Sequence, residues 1–226
     1  MDIKSFVFLL IIALTSFCIT ACKSPTATRL TPDEAAQYSS TPCVNARLIE
    51  DEYTCFEHHW AEPIEALGLD NLHRLSNDFY RSAQPESGGF KSAEKLGIKT
   101  IISIRETGKD ADLDEEEPTD IKLIHLPLST TKVTKEDVGR VLREVHLAEK
   151  PVLIHCRHGS DRTGLISAFY RIVFENWSRE EARAELYYGG FGHHTMFDNI
   201  PELVTQADLE TIQKLVFSDD PVENAP

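Results

Sequence analysis

The spacing of hydrophobic positions changes repeatedly along the chain, and each change predicts an element. LHRLSNDFYRSAQP, residues 72–85, reads as two short strands around a turn at 76–78, where Ser, Asn and Asp favour reversal. GGFKSAEKLG, residues 88–97, predicts a short helix stopped by Gly97. IKTIISI, 98–104, is an apolar β-branched run of the kind buried on both faces of a parallel sheet, and IKLIHLPL, 121–128, supplies another strand. The acidic stretch 110–120, interrupted by Pro118, predicts a loop between them. Thr134 is placed to cap KEDVGRVLREVHLAEK, whose Val138, Val141, Leu142 and Val145 share one helical face. PVLIH, 151–155, predicts a further buried strand. TGLISAFYRIVFEN, 163–176, is apolar all round, as a central helix is. Ser178 caps a helix with Glu180 and Glu181 in its first turn, and one last helix is expected over 201–217. Alternating strands and helices predict a single α/β domain, a central mostly parallel sheet flanked by helices.

The N-terminal residues follow another pattern. Lys4 precedes a short apolar run, 6–17, too short for a comfortable membrane span and suited to a signal peptide. The following ITAC, 19–22, resembles a bacterial lipobox. That resemblance implies cleavage before Cys22 and lipid attachment to its thiol. Residues 24–45 are rich in Ser, Thr, Pro and Ala without apolar periodicity, and read as a tether. The expected organisation is a signal peptide at 1–21, a tether and N-terminal extension at 22–59, a domain at 60–218 and a tail at 219–226. Such a chain is exported and held on a bacterial membrane, facing the periplasm.

A net charge of −14 over 226 residues excludes the concentrated basic face that nucleic-acid binding needs. Any anion site must therefore be a local positive pocket. Of the five cysteines, Cys18 would leave with the signal and Cys22 would carry lipid. Cys43 and Cys55 are free to pair in an oxidising compartment, and the sequence leaves open whether they do.

The fifth cysteine lies in PVLIHCRHGSDRTG, residues 151–164, where a strand runs through a small polar loop into a helix. A strand, tight loop and helix N-terminus form a recurrent anion-binding arrangement, with backbone N–H groups and the helix dipole directed at the ligand. Arg162 can hold two oxyanion oxygens in a fork. Cys156, at the start of the loop, would place its sulfur beneath the anion. The same amides and Arg162 favour the thiolate, an in-line nucleophile toward phosphorus. Gly159 and Ser160 complete the loop, and Thr163 offers a hydroxyl to the sulfur. His155 is expected to bond the loop backbone rather than react. Arg157 and His158 either meet a second anionic group or form a solvated rim.

FYRSAQP, GIKTIISIR, IHLPLS and the Cys-x5-Arg loop with its Thr-Gly together resemble the dual-specificity branch of the cysteine-dependent phosphatases, over roughly residues 60–200. The resemblance implies that fold, a phosphocysteine intermediate hydrolysed by water, and no metal or other cofactor. It implies Cys156 as nucleophile, Arg162 as clamp, Thr163 as thiolate partner and the amides of residues 157–162 as cradle. One position departs from the family. Where a general-acid Asp is usual, the loop PLSTTKVTKED carries Ser129 and Thr130. Asp161, beside Arg162, is the preferred candidate for the acid, ahead of a structural role in the loop. Asp137 and the cluster of Asp112, Asp114 and Glu115, Glu116 and Glu117 come after it.

The expected substrate is a phosphorylated protein, or a lipid or inositol phosphate. Toward the latter class the Asp-Arg pair leans, as in myotubularin-like phosphatases. The absent acid at 129–130 favours a competing class, an inert phosphate-binding module of the same fold. The intact Cys156, Arg162 and Thr163 oppose it. Thiol redox or sulfur-transfer chemistry would call for a second cysteine near Cys156, which the sequence lacks. Arg81 reads as structural. His193, His194 and Asp198, in YYGGFGHHTMFDN, and the EHHW at 57–60 lack the spacing of metal ligands. Gly189, Gly190 and Gly192 predict a tight turn there instead.

Overall fold

The computed structural model describes residues 44–107 and 120–218. Eight strands and six helices lie among them. The strands are β1 (Asn45–Ile49), β2 (Glu52–Phe56), β3 (Glu62–Pro63), β4 (His73–Arg74), β5 (Phe79–Ser82), β6 (Thr100–Ser103), β7 (Lys122–His125) and β8 (Val152–His155). The helices are α1 (Gly89–Lys95), α2 (Lys135–Leu147), α3 (Asp161–Phe174), α4 (Arg179–Tyr188), α5 (Asn199–Gln206) and α6 (Leu209–Phe217).

A six-stranded sheet runs in the order β3-β4-β5-β8-β6-β7. The last four strands in that order are mutually parallel, and β3 and β4 continue the sheet antiparallel beyond β5. Strand alternation assigns the two faces. Phe79, Ile102, Val152 and Ile154 point into the larger core, with α2 to α6; Tyr80, Ile101 and Leu153 point into the smaller one, with Phe90 and Ala93 of α1. Because β8 lies between two parallel neighbours, all four of its residues are buried, which accounts for the unbroken apolar run VLI. His155 pairs in register with Ser82 of β5 and Ser103 of β6. The loop that follows therefore leaves the sheet at the carboxyl edge of the parallel strands, where open α/β sheets bind ligands.

Two sequence expectations change. The single helix expected over 201–217 is two helices. Ala207 takes an extended conformation, and Asp208 caps the second helix through its side chain, accepting from the Glu210 amide. Asp137, a minor candidate for the acid, closes a capping box with Thr134 and pairs with Arg140 at 3.0 Å. The rest of the acid cluster, 112–117, lies outside the described residues.

Structure also begins before Trp60. Strands β1 and β2 form an antiparallel hairpin, with the Phe56 and Trp60 rings 4.8 Å apart and the Tyr188 hydroxyl of α4 donating to Glu50. Cys55, on β2, is disulfide-bonded; Cys43, Cys22 and the remaining N-terminal residues lie outside the described residues.

Two buried carboxylates of α4 hold the segment that leads into the sheet. Glu181 accepts from the His58 amide and ring, and Glu185 accepts from the Ala61 amide. Glu185 also forms a bidentate pair with Arg171 of α3, at 3.0 and 2.8 Å, and the guanidinium lies over Trp177. Removing one member of a buried pair strands the other charge. Glu185→Ala is therefore expected to lower the unfolding free energy by about 3–5 kcal/mol, read from chemical denaturation midpoints, and by more than Glu185→Gln.

Candidate active site

Residues 156–160 form a loop whose carbonyls are each held from outside. The Cys156 carbonyl accepts from His155 Nδ1 at 3.1 Å and the Arg157 carbonyl from the Gln84 amide at 3.2 Å. Asn71 Nδ2 donates to the His158 carbonyl at 3.0 Å, Arg81 Nη2 to the Gly159 carbonyl, and the Gly164 amide to the Ser160 carbonyl at 3.0 Å. Turning successive carbonyls outward leaves the amides for the interior of the loop. Among the described residues no acceptor engages the amides of residues 157–162. Helix α3 starts there, so its unsatisfied first amides face the same point.

Cys156 is a free thiol, 3% exposed, at the end of β8. Gly159 has a φ of +73°, and a Cβ there would stand 2.6 Å from the Ser82 backbone. The loop thus demands glycine both for conformation and for close approach to β5. Arg162 donates to the Leu128 carbonyl at 3.2 Å through Nη1, while its Nε is buried and unpartnered. Thr163, fully buried in the first turn of α3, has a hydroxyl without a partner. Arg157 and His158 are exposed on the rim. Ser160 turns its hydroxyl to the Phe191 carbonyl at 2.7 Å instead of capping α3.

Arg81, which the sequence suggests only as a structural residue, is 1% exposed directly behind the loop. Its guanidinium lies 3.7 Å from the centre of the Phe191 ring. Burial pulls its pKa down to about 10, with Glu185 partly offsetting the effect. It therefore stays charged at neutral pH and adds positive potential under the anion site.

The segment after α4 is the part that sequence reasoning undervalues. Gly190 and Gly192 do turn the chain, with φ of +86° and +74°. The turn brings Phe191 onto the loop, where Asn71 Nδ2 and Ser160 Oγ both donate to its carbonyl. It also brings both histidines to Asp161. The His194 amide and ring Nδ1 lie 2.9 and 2.8 Å from the two carboxyl oxygens. His193, nearly fully buried, has Nδ1 3.0 Å from Oδ1 without good hydrogen-bond alignment. Asp198 begins α5, away from this cluster of contacts.

Asp161, the preferred candidate for the acid with a structural role in the loop as its alternative, makes the contacts of a loop acceptor. The residue is 6% exposed. Burial alone would raise its pKa, but the two histidines and the His194 amide overcome that and hold the carboxyl below its usual range. Both Asp161 oxygens are thus engaged, and the same contacts favour its carboxylate form. In the loop before α2, Ser129 and Thr130 offer no carboxyl. Thr130 instead lines a recess of about 240 Å³ with Arg157, His158, Asp161, Arg162, His194, Met196 and Phe197.

The comparisons with known proteins agree with this geometry. Residues 67–218 match the tyrosine phosphatase family. The chain belongs to that family and is a cysteine-dependent phosphatase. A dual specificity protein phosphatase of Pseudomonas aeruginosa, TpbA, is 34% identical over 156 residues, covering 68% of this phosphatase and 69% of TpbA. The TpbA crystal structure superposes with a TM-score of 0.62 at 32% identity, covering 70% of this chain and 97% of that one. TpbA has also been crystallised with phosphotyrosine, and that structure superposes with a TM-score of 0.61. The inositol diphosphatase SIW14 of Saccharomyces cerevisiae is 28% identical over 149 residues, covering 57% of this phosphatase and 52% of that protein.

The Gly159 geometry makes a direct prediction. Gly159→Ala is expected to cost about 1–3 kcal/mol of backbone strain and to abolish binding of inorganic phosphate or vanadate, measured by calorimetry on a variant shown to be folded.

Proposed function

We propose that the phosphatase hydrolyses phosphomonoesters through a phosphocysteine at Cys156, with phosphotyrosine-type esters as its preferred substrates. The observation that carries the reading is the loop itself: amides without acceptors, an unpartnered Arg162 Nε and a free cysteine converge at the end of β8. Sγ of Cys156 attacks phosphorus while the ester oxygen leaves on the opposite side; water then displaces the sulfur and releases phosphate. The amides and Arg162 hold the equatorial oxygens throughout, where charge builds in the transition state. Positioning and electrostatics supply the catalysis, and no metal enters the reading. Intact Cys156, Arg162 and amides argue against an inert phosphate-binding module.

The recess beside Arg162 includes the side chains of Thr130, Met196 and Phe197, an apolar wall suited to an aryl ring. The phosphotyrosine complex of TpbA supports the same class. A second reading has its own observation. Arg105, Arg157 and Arg162 line an adjoining recess of about 180 Å³ together with Glu106 and Thr107, and Arg105 Nη1 is buried without a partner. Such a cluster suits a second phosphate, as on an inositol phosphate, and the likeness to SIW14 points the same way.

We also propose that the chain is exported and lipid-anchored through Cys22, from the ITAC pattern that follows its apolar N-terminal run.

Cys156→Ser is expected to end turnover of every phosphoester while vanadate still binds; full activity in that variant would overturn the mechanism. Among substrates, phosphotyrosyl peptides are expected to show higher kcat/KM than inositol phosphates, and the reverse ranking would favour the second reading. Cys22→Ala is expected to move the full-length protein from the membrane to the soluble fraction and to abolish labelling by a fatty-acid probe.

A further inference from the structure

The phosphatase needs a proton donor for its leaving group; among the described residues Ser129 and Thr130 carry no carboxyl, and both Asp161 oxygens already accept hydrogen bonds from His194. We infer that His194 is the general acid, with its backbone and imidazole held by Asp161. This rests on the phosphocysteine reading above and adds a catalytic residue to it.

The two ring nitrogens of His194 have different surroundings. Nδ1 lies 2.8 Å from an Asp161 oxygen, and because that group is a carboxylate, Nδ1 must be the donor. Nε2 is then the nitrogen that gains and loses the working proton. The side chain is 45% exposed and borders the recess that also contains Arg162, so the ring is within reach of a ligand bound there. The His194 amide bonds the same carboxylate, which fixes the backbone as well as the ring. The second carboxyl oxygen, which accepts from the His194 amide, also faces buried His193. An oriented His–carboxylate pair at the mouth of an anion site is a recurrent acid–base device.

The steps balance with His194 in this role. In the first, the Cys156 thiolate forms the S–P bond as the P–O ester bond breaks, and Nε2–H gives its proton to the departing oxygen. The imidazole is then neutral, with its lone pair on Nε2. In the second, that lone pair takes a proton from water as the oxygen attacks phosphorus and the P–S bond breaks. This returns the thiolate, the imidazolium and inorganic phosphate.

Asp161 and Arg162 on α3, Arg157 and His158 on the loop (the His158 ring lies 5.7 Å away) and the adjacent His193 are the charged and titratable groups around His194. Thr130, Met196 and Phe197 complete the surroundings without charge. Loss of the Nε2 proton should appear as the basic limb of the kcat/KM profile.

The decisive test uses two leaving groups on the full chain. His194→Asn keeps a donor near the Nδ1 position and removes Nε2. It should lower kcat/KM for phosphotyrosine or an alkyl phosphate by on the order of 10²–10⁴-fold, while an aryl phosphate with a highly acidic leaving group falls far less; the basic limb should disappear. Equal losses on both substrates, or no loss on either, would overturn the assignment. A measurement on the native protein guards against a misfolded variant. The dependence of kcat/KM on leaving-group pKa should be shallow at low pH and steep above the basic limb, and one slope across the profile would also overturn it. Retained turnover in Cys156→Ser overturns the phosphocysteine reading itself. A silent Cys156→Ser with an indifferent His194→Asn sinks only the role of His194.

Discussion

Successive backbone amides can converge on one point only if the carbonyls between them are turned away and satisfied elsewhere. That constraint organises much of the molecule. The donors that meet it come from both ends of the site: His155 from the strand that feeds the loop, Asn71, Arg81 and Gln84 from the β4–β5 region, and Gly164 from α3. Residues far from Cys156 in sequence are therefore as necessary to the shape of the loop as residues within it. The parallel pairing of β5 with β8 carries these donors to their places, because Ser82 stands opposite His155 and the chain continues from there along the loop.

A protein with a net charge of −14 has to build its anion site against its own field. The cation directly behind the loop, Arg81, is sealed from water, which weakens its hold on its own proton but preserves its potential from screening. Glu185 offsets that burial only in part, and its oxygens also accept from Arg171 and Ala61. Arg81 thus brings positive charge behind the loop, while the α3–α4 interface next to it is closed by a matched pair.

Periodicity and caps made most of the elements legible. The apolar run of β8, the Thr134 cap and the shared face of Val138, Val141, Leu142 and Val145 follow from local rules that tertiary packing here reinforces. The Cys-x5-Arg spacing located the anion cradle for the same reason, since strand, loop and helix N-terminus are contiguous in the chain. The break at Ala207–Asp208 was hidden because both helices carry apolar positions toward one core, so the pattern continues across the interruption. The partnership of Asp161 with His193 and His194 was hidden for a different reason. Some 30 residues separate them, and only the turn through Gly190 and Gly192 closes the gap. Two adjacent histidines after a glycine cluster are the available signal; their spacing speaks against a metal site but carries no information about pairing with a distant acid.

Because the loop is shaped by its carbonyls and by buried partners outside it, the side chains of Arg157 and His158 are excused from that duty and stand in solvent. The two exposed positions of the loop are thus the two whose replacement disturbs the cradle least. Recognition and catalysis sit within a few residues of each other yet are encoded separately. This is an architecture in which descendants of one enzyme can exchange one phosphoester for another by drifting at the rim, with the nucleophile and its cradle left untouched.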